Sequence, residues 1–289
     1  MSLSVGCRTV DVHDEGSTFP MVILYPSTGT ERPERVGRYT MDVATNAPVA
    51  AGAHLLVMIS HGSGGSNVAY RTLAKSLAQD GFVVALPLHP RNNRDDNSLA
   101  DTDTLLVNRP RELRAAIDFM FDSDEFREHL VPDAAALIGH SMGGYTALAL
   151  AGGRPIAGPH ETQDHQPRLI RVDPDPRVKA LVLLAPATPW FQAPGALRNV
   201  RLPILMRTAE KDVHTPGWFS EIVKRGVAEP RLVEHKIVAN GNHFAFLSPF
   251  PPEFTTPDFA PSQDPPGFDR ASFLEQLAAD ISAFLHRVV

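Results

Sequence analysis

Cysteine is nearly absent: Cys7 is the only one in 289 residues. No intrachain disulfide can form and no cysteine cluster can hold a metal, which suits a reducing compartment. Long apolar runs are missing too, since no stretch approaches the ~18 consecutive apolar residues of a membrane helix. The opening "MSLSVGCRTVDVHDEG" carries neither the basic nor the apolar region of a secretory leader. A soluble, cytoplasmic protein with no membrane span is expected. There is no basic run, and the formal charge of −6 comes from intermixed acids and bases. That balance argues against nucleic acid as a partner and for a small or neutral substrate. No internal repeat is visible.

What the chain does have is apolar content, 43% of its residues, enough for one large α/β domain over 1–289. The runs "MVILYP", "HLLVMIS", "GFVVALPLHP", "AAALIGHS", "KALVLLAP", "LPILMRTAE" and "VEHKIV" are mostly too continuous to leave a wet face. Such runs read as buried strands of a largely parallel sheet. Between them lie helical patterns. Tyr70, Leu73, Ala74, Leu77 and Ala78 form one apolar stripe. A second helix is expected around "RPRELRAAIDFMF", and a last one from near Ala271 with Phe273, Leu277, Ile281, Phe284 and Leu285 on one face. Alternating strands and helices imply right-handed crossovers and a three-layer sandwich.

Two stretches break this rhythm. Residues 152–177, Gly152 to Arg177, show no apolar period and read as a lid insertion; residues 249–269 form a loop rich in proline and phenylalanine. Within the first, His160, Glu161 and His165 imitate a zinc-protease motif. The histidines stand five apart rather than the four that would align them on one helical face, so no metal site is expected.

The stretch "LIGHSMGGYT" sets Ser141 between glycines after one of the apolar runs. A Gly-x-Ser-x-Gly arises by chance in roughly one chain in ten of this length, so context must decide. Here a strand precedes the serine and the helix former "GGYTALALA" follows it. A nucleophile lifted clear of a sheet on a sharp turn takes strained backbone angles, and Gly139 and Gly143 remove side chains that would crowd it. The following helix aims N–H groups at the serine oxygen, with Met142 N–H the nearest donor. A second oxyanion donor is expected from the glycine-rich "HGSGG" turn, at Ser63 N–H. No "GKS" or "GKT" follows that turn, so a nucleotide P-loop is not expected.

A serine hydroxyl needs a base. His243, in "VANGNHFAFL", follows the last strand pattern on a loop opened by Asn240 and Gly241 and is the expected general base. His214 lies too near the candidate acid, His235 within a strand and His286 on the last helix, while His140 reads as packing. The orienting acid is expected at Asp212, beyond the end of "LPILMRTAE", with Glu210 as its competitor. The chain order Ser, Asp, His is that of a strand-to-helix nucleophile elbow. Trp190, Phe191, Trp218, Phe219, Phe244 and Phe246 stand near strand exits, either lining an apolar substrate pocket or filling the core.

These residues carry a resemblance. Over roughly 25–249, through "LYPS", "HLLVMISHGSGGSNVAYRTLAKSLAQDGFVVALPLHP", "LIGHSMGGYTAL" and "NGNHFAFLSP", the chain resembles the α/β-hydrolases. Within them it is similar to the dienelactone hydrolase-like group that shades into the platelet-activating-factor acetylhydrolases. The resemblance implies a mostly parallel sheet of about eight strands, a Ser-Asp-His triad, and hydrolysis of carboxylic esters without a cofactor. Dienelactone hydrolases carry cysteine where this chain has Ser141, and Ala209 stands where many relatives place glycine. The expected enzyme is a serine esterase acting on a small-molecule ester. A peptidase or amidase on the same triad, or a non-catalytic ligand-binding member of the fold, are the alternatives.

Overall fold

Every apolar run named above becomes a strand in the computed structural model, which describes residues 4–289. In chain order the strands are β1 (Ser4–Asp14), β2 (Ser17–Ser27), β3 (Arg32–Val36), β4 (Tyr39–Thr45), β5 (His54–Ser60), β6 (Val83–Pro87) and β7 (Leu130–His140). There follow β8 (Ile156–Ala157), β9 (Arg168–Leu169), β10 (Val178–Leu184), β11 (Ile204–Ala209) and β12 (Val233–Val238). The principal helices are α1 (Arg71–Gln79), α2 (Asp103–Asp122), α3 (Met142–Leu150), α4 (Trp218–Gly226) and α5 (Arg270–Val288). None is long and apolar enough to cross a membrane among the described residues.

Ten strands form one sheet in the order β12-β11-β10-β7-β5-β6-β2-β1-β4-β3. From β12 to β6 all neighbours are parallel; β2 then pairs antiparallel with both β6 and β1. The expectation of about eight strands is thus exceeded. The antiparallel pair β3 and β4 extends the edge beyond β1, and polar residues interleaved through "RPERV" and "YTMDVAT" hide these strands from a search for continuous apolar runs. Alternation suits an edge with one wet face.

Side chains of the central strands point alternately into two cores. On one face Leu56, Leu137, Leu181 and Met206 pack against α2, α3 and α4; on the other Val57, Ile138, Val182 and Leu205 pack against α1 and α5. The three-layer sandwich follows. Thr102 caps α2 by accepting the N–H of Leu105, and Asp269 caps α5 by accepting that of Ser272. Pro110 lies inside α2, where it has no N–H to give the carbonyl of Leu106. Tyr145 of α3 supplies the missing donor, its hydroxyl 2.7 Å from that oxygen. A proline that weakens one helix thereby ties it to the next.

Residues 152–177 are more ordered than an aperiodic stretch suggests. β8 and β9 pair with each other, and Ala157 and Ile170 enter the core, so the segment does own a small buried apolar face. Asp175 and Arg177 anchor its end to Asp118 of α2. Residues 249–269 lie over the other side, where Phe250 and Phe254 meet the ring of Tyr39 edge-on. The same loop buttresses what precedes it, since Asn242 donates to the carbonyl of Gln263 and Asn240 to that of Pro266.

Candidate active site

Ser141 stands between β7 and α3 with φ 53° and ψ −118°, a left-handed conformation that a side chain rarely adopts. Backbone crowding explains the glycines around it. A Cβ on Gly139 would lie 2.2 Å from the carbonyl oxygen of Gly143, and one on Gly143 would lie 1.9 Å from that of Ser60. Three hydrogen bonds hold the elbow: Ser141 N–H donates to Leu184, while Gly144 and Ala187 N–H groups donate to the Ser141 carbonyl. The strain is over-determined by its surroundings.

Asp212 and His243 come together across the ends of β11 and β12. His243 Nδ1 lies 2.8 Å from Asp212 Oδ2, and both side chains are buried. Asp212 is itself fixed by a turn in which its Oδ1 accepts the N–H groups of His214 and Thr215, each at 2.8 Å. The Thr215 hydroxyl donates to Oδ2 at 2.7 Å. Burial opposes ionisation of this carboxyl, but the hydrogen bonds and charge of His243 and the Thr215 donors outweigh it and hold Asp212 down to about 2. It is a carboxylate at neutral pH, able to keep Nδ1–H in place and leave Nε2 free to accept. Glu210, the competing acid, instead accepts the N–H of Asn240 at 2.6 Å. It braces the histidine loop without touching the imidazole.

The elbow and the histidine loop are joined by His140. Its Nε2 lies 3.0 Å from the carbonyl oxygen of His243, its Nδ1 lies 2.8 Å from the Tyr70 hydroxyl, and its ring centre lies 4.8 Å from that of His243, tilted by 41°. Burial, then the neighbouring His243, pushes His140 down to about 3. The ring is neutral, with Nε2–H donating to the carbonyl and Nδ1 accepting from tyrosine. Read from sequence as packing, His140 is a latch as well. The Ser141 hydroxyl takes no hydrogen-bond partner among the described residues. Contacts between nucleophile and base are often long without substrate and tighten when it binds.

The two segments expected to supply oxyanion donors lie next to the serine in the chain and in space. Met142 opens α3, so its N–H has no partner inside the helix. The loop holding Ser63 approaches closely: a Cβ on Gly62 would sit 3.2 Å from that of Ser141, and Gly64 takes φ 62°. The Ser63 hydroxyl accepts from Asn92 at 2.8 Å, which ties this loop to the segment after β6.

The six aromatics divide. Phe246 is fully buried, packed against His140 and Phe273, and so is core rather than pocket. Phe191 is buried too, stacked on Tyr145, and reaches only the floor of a groove of about 410 Å³ beside Trp218. Trp190 borders a second cleft, of about 400 Å³, with His160 and Glu161. Phe244 meets the rings of His243 and His214 edge-on. Trp218 and Phe219 form a T-shaped pair at the head of α4. Of the zinc-like trio, His160 Nε2 stands 3.7 Å from Glu161 Oε1, but the three form no metal-holding group among the described residues. Glu161 accepts from Trp190 Nε1 and Gly158 N–H, each at 2.5 Å, while His165 pairs with the carbonyl of Pro159.

Thr215, Tyr70, Asn92 and Arg109 were not legible as site residues. Only Thr215 had a signal, since Asp-x-x-Thr beyond a strand is a turn in which the carboxylate caps backbone N–H groups.

Parts of the chain are similar in sequence, and the whole of it in fold, to known proteins. The chain is 30% identical over 162 residues to Cutinase 2 of Thermobifida cellulosilytica, covering 55% of this chain and 48% of that protein. It is 28% identical over 195 residues to Cutinase est1 of Thermobifida alba, covering 65% and 53%. The chain therefore spans about half the length of the curated relatives it matches. Among solved structures it resembles a ferulic acid esterase from Streptomyces cinnamoneus, with TM-score 0.72, 18% identity, and 100% and 91% of the two chains covered. It also resembles a dienelactone hydrolase from Anabaena variabilis, with TM-score 0.60, 17% identity and 99% of both chains covered. Likeness at that identity speaks for the fold alone. Residues 56–286 match the Alpha/beta hydrolase family, and with the elbow, the sheet and the crossovers in place, this chain belongs to it.

Proposed function

We propose that the protein is a serine hydrolase of carboxylic esters that acts through an acyl-enzyme on Ser141. The observation that carries the reading is the hydrogen-bonded Asp212–His243 pair, latched through His140 to a strained serine at the head of α3. His243 Nε2 takes the Ser141 proton as Oγ attacks the ester carbonyl, and Asp212 stabilises the imidazolium that forms. The N–H groups of Met142 and Ser63 receive the oxyanion. As the tetrahedral intermediate collapses, His243 returns the proton to the departing alcohol. Water, deprotonated by the same histidine, attacks the acyl carbon, and the acid leaves with Ser141 restored. No step calls for a cofactor.

Apolar side chains stand exposed on the turn that carries the acid and at the head of α4. Val213 is 85% and Trp218 49% exposed, and Val213 sits between the acid and His214, whose ring lies 4.9 Å from that of His243. An apolar rim of this kind suits an ester with hydrocarbon on at least one side. The names of the relatives, cutinases and a ferulic acid esterase, support a carboxylic ester as the substrate class. A fluorophosphonate probe tests the chemistry directly. It is expected to label Ser141 stoichiometrically, with labelling lost in Ser141→Ala; a folded protein left unlabelled overturns the reading. A panel of p-nitrophenyl esters from acetate to palmitate then sets the chain length.

A further inference from the structure

Behind the candidate oxyanion hole lies a fully buried arginine that, among the described residues, touches no carboxylate. Arg109, on α2, is 0% exposed. Its Nε donates to the Thr146 hydroxyl at 3.0 Å and its Nη1 to Asn92 Oδ1 at 2.5 Å. Its Nη2 donates to the Ser60 hydroxyl at 3.2 Å and to the carbonyl of His61. Burial lowers Arg109 to about 10 against the opposing charge of Glu112, so it stays a cation at neutral pH. Burying a guanidinium against neutral acceptors is costly, and a well-packed apolar side chain often serves stability as well or better.

The partners of the guanidinium explain its place. Thr146 donates in turn to the carbonyl of Met142 at 3.1 Å, within the first turn of α3. Asn92 donates to the Ser63 hydroxyl at 2.8 Å, and His61 opens the turn that carries Ser63. One planar, multidentate group therefore grips the supports of both N–H donors, one on the helix and one on the loop.

We propose that Arg109 is a positioning residue for the reaction: it sets the separation and aim of the Met142 and Ser63 N–H groups, so that both meet the oxyanion of the tetrahedral intermediate. The inference rests on the reading of Ser141 as nucleophile. It concerns only the transition state, because a ground-state carbonyl oxygen lies elsewhere than the oxyanion.

Arg109→Met keeps the length and removes the fork; Arg109→Lys keeps the charge and cannot span both supports. In each, kcat on a p-nitrophenyl ester is expected to fall by about 10²-fold, as for a lost or misplaced oxyanion donor. KM should stay within about threefold. The inhibition constant of an alkyl trifluoromethyl ketone, whose adduct with Ser141 places an oxyanion in the hole, should rise by the same factor as kcat falls. Folded variants with parental kcat and ketone affinity, changed only in melting temperature, overturn the proposal. Should both Arg109 variants fail to fold, Thr146→Val and Asn92→Ala release one support each. A fall of about tenfold in kcat with KM held sustains the proposal, and parental kcat in both overturns it. Fluorophosphonate labelling of the parent separates the two levels. A labelled parent with fully active Arg109 variants sinks this inference alone, whereas an unlabelled parent sinks the reading beneath it.

Discussion

Two histidine–carboxylate pairs in this molecule share the same bond and differ in everything around it. His243 and Asp212 meet at 2.8 Å through Nδ1; so do His89 and Glu112. His89 even has a serine on its other nitrogen, with Ser60 Oγ 2.9 Å from Nε2. Yet Ser60 is the last residue of β5 and is sealed in, its oxygen held by His89 and Arg109. Ser141 is lifted out of the sheet by its positive φ, is partly exposed, and stands at the head of α3. The carboxyls diverge as well. Burial pushes Glu112 up to about 7 although Arg109 opposes it, while the donors around Asp212 hold that acid to about 2. Triad geometry does not make a nucleophile. A strained elbow, access for a substrate and a place for negative charge do.

The largest effect should separate the two serines. Ser141→Ala is expected to lower kcat on a simple ester by up to about 10⁶-fold with the fold intact, since triad members act as a unit. Ser60→Ala, which removes one contact from the buried network, should cost no more than about tenfold. Comparable losses in the two purified variants would break the distinction. Next come the acids. Asp212→Asn should cost about 10⁴-fold by permitting the wrong histidine tautomer, whereas Glu112→Gln and Glu210→Gln should each stay within about tenfold. Steady-state kinetics on one p-nitrophenyl ester rank all three; Glu210→Gln falling below Asp212→Asn moves the acid to Glu210.

A smaller effect appears in stability against pH. Burial, then the charge of Arg109, holds His61 down to about 3, and burial, Arg109 and His61 hold His89 well below its ordinary value. His140 is held to about 3 by burial and by His243. For such a histidine the unfolded chain binds a proton that the fold refuses. The stability it contributes is complete above the unfolded value near 6.5 and is lost as pH falls towards about 3. Glu112 works the other way. Its folded value lies above its unfolded one, so its cost is full above about 7 and is relieved as pH falls towards 4.5. Each group contributes a slope of up to about 1.4 kcal/mol per pH unit within its window. Thermal melts from pH 8 to 4.5 should show the parent gaining on Glu112→Gln as pH falls. A constant gap means the carboxyl is not raised in the fold.

What could be read in the sequence follows from how each feature is encoded. Central strands and the elbow are local: a continuous apolar run needs no partner to be recognised, and Gly139 and Gly143 report a crowding that any strand-to-helix nucleophile imposes. The Asp212 and His243 positions were legible because strand exits are where side chains leave the sheet. The edge was not, because β3 and β4 alternate polar with apolar residues. Nor was the network behind the hole. Arg109, Asn92 and Thr146 come from three separate segments, and an arginine in "RPRELR" looks like the wet face of a helix until Pro110 and the packing of α2 on α3 turn it inward. The latch that His140 adds to its packing was hidden for the same reason, since its partners lie 70 and 103 positions away.

The smallest effect concerns residues 152–177, proposed here as a wall of the substrate site rather than a free lid. Glu161 is buried at the centre of that segment, one carboxylate oxygen on Gly158 N–H and the other on Trp190 Nε1. Trp190 packs edge-on against Tyr145, one turn along α3 from Ser141. The carboxylate therefore ties the segment to a ring that reaches the neighbourhood of the nucleophile. Glu161→Gln keeps the shape but has only one acceptor oxygen for the two donors, leaving a buried N–H unpaired at a cost of about 1–3 kcal/mol. The tryptophan is then free to shift, and the site changes shape without losing its chemistry. Relative kcat/KM for p-nitrophenyl acetate against octanoate is expected to move by a few-fold, about 1 kcal/mol in transition-state binding. Fluorophosphonate labelling should still proceed at Ser141. An unchanged ester profile alongside a lower melting temperature would assign the segment to the scaffold, as its buried Ile170 and its anchor at Asp118 already do in part.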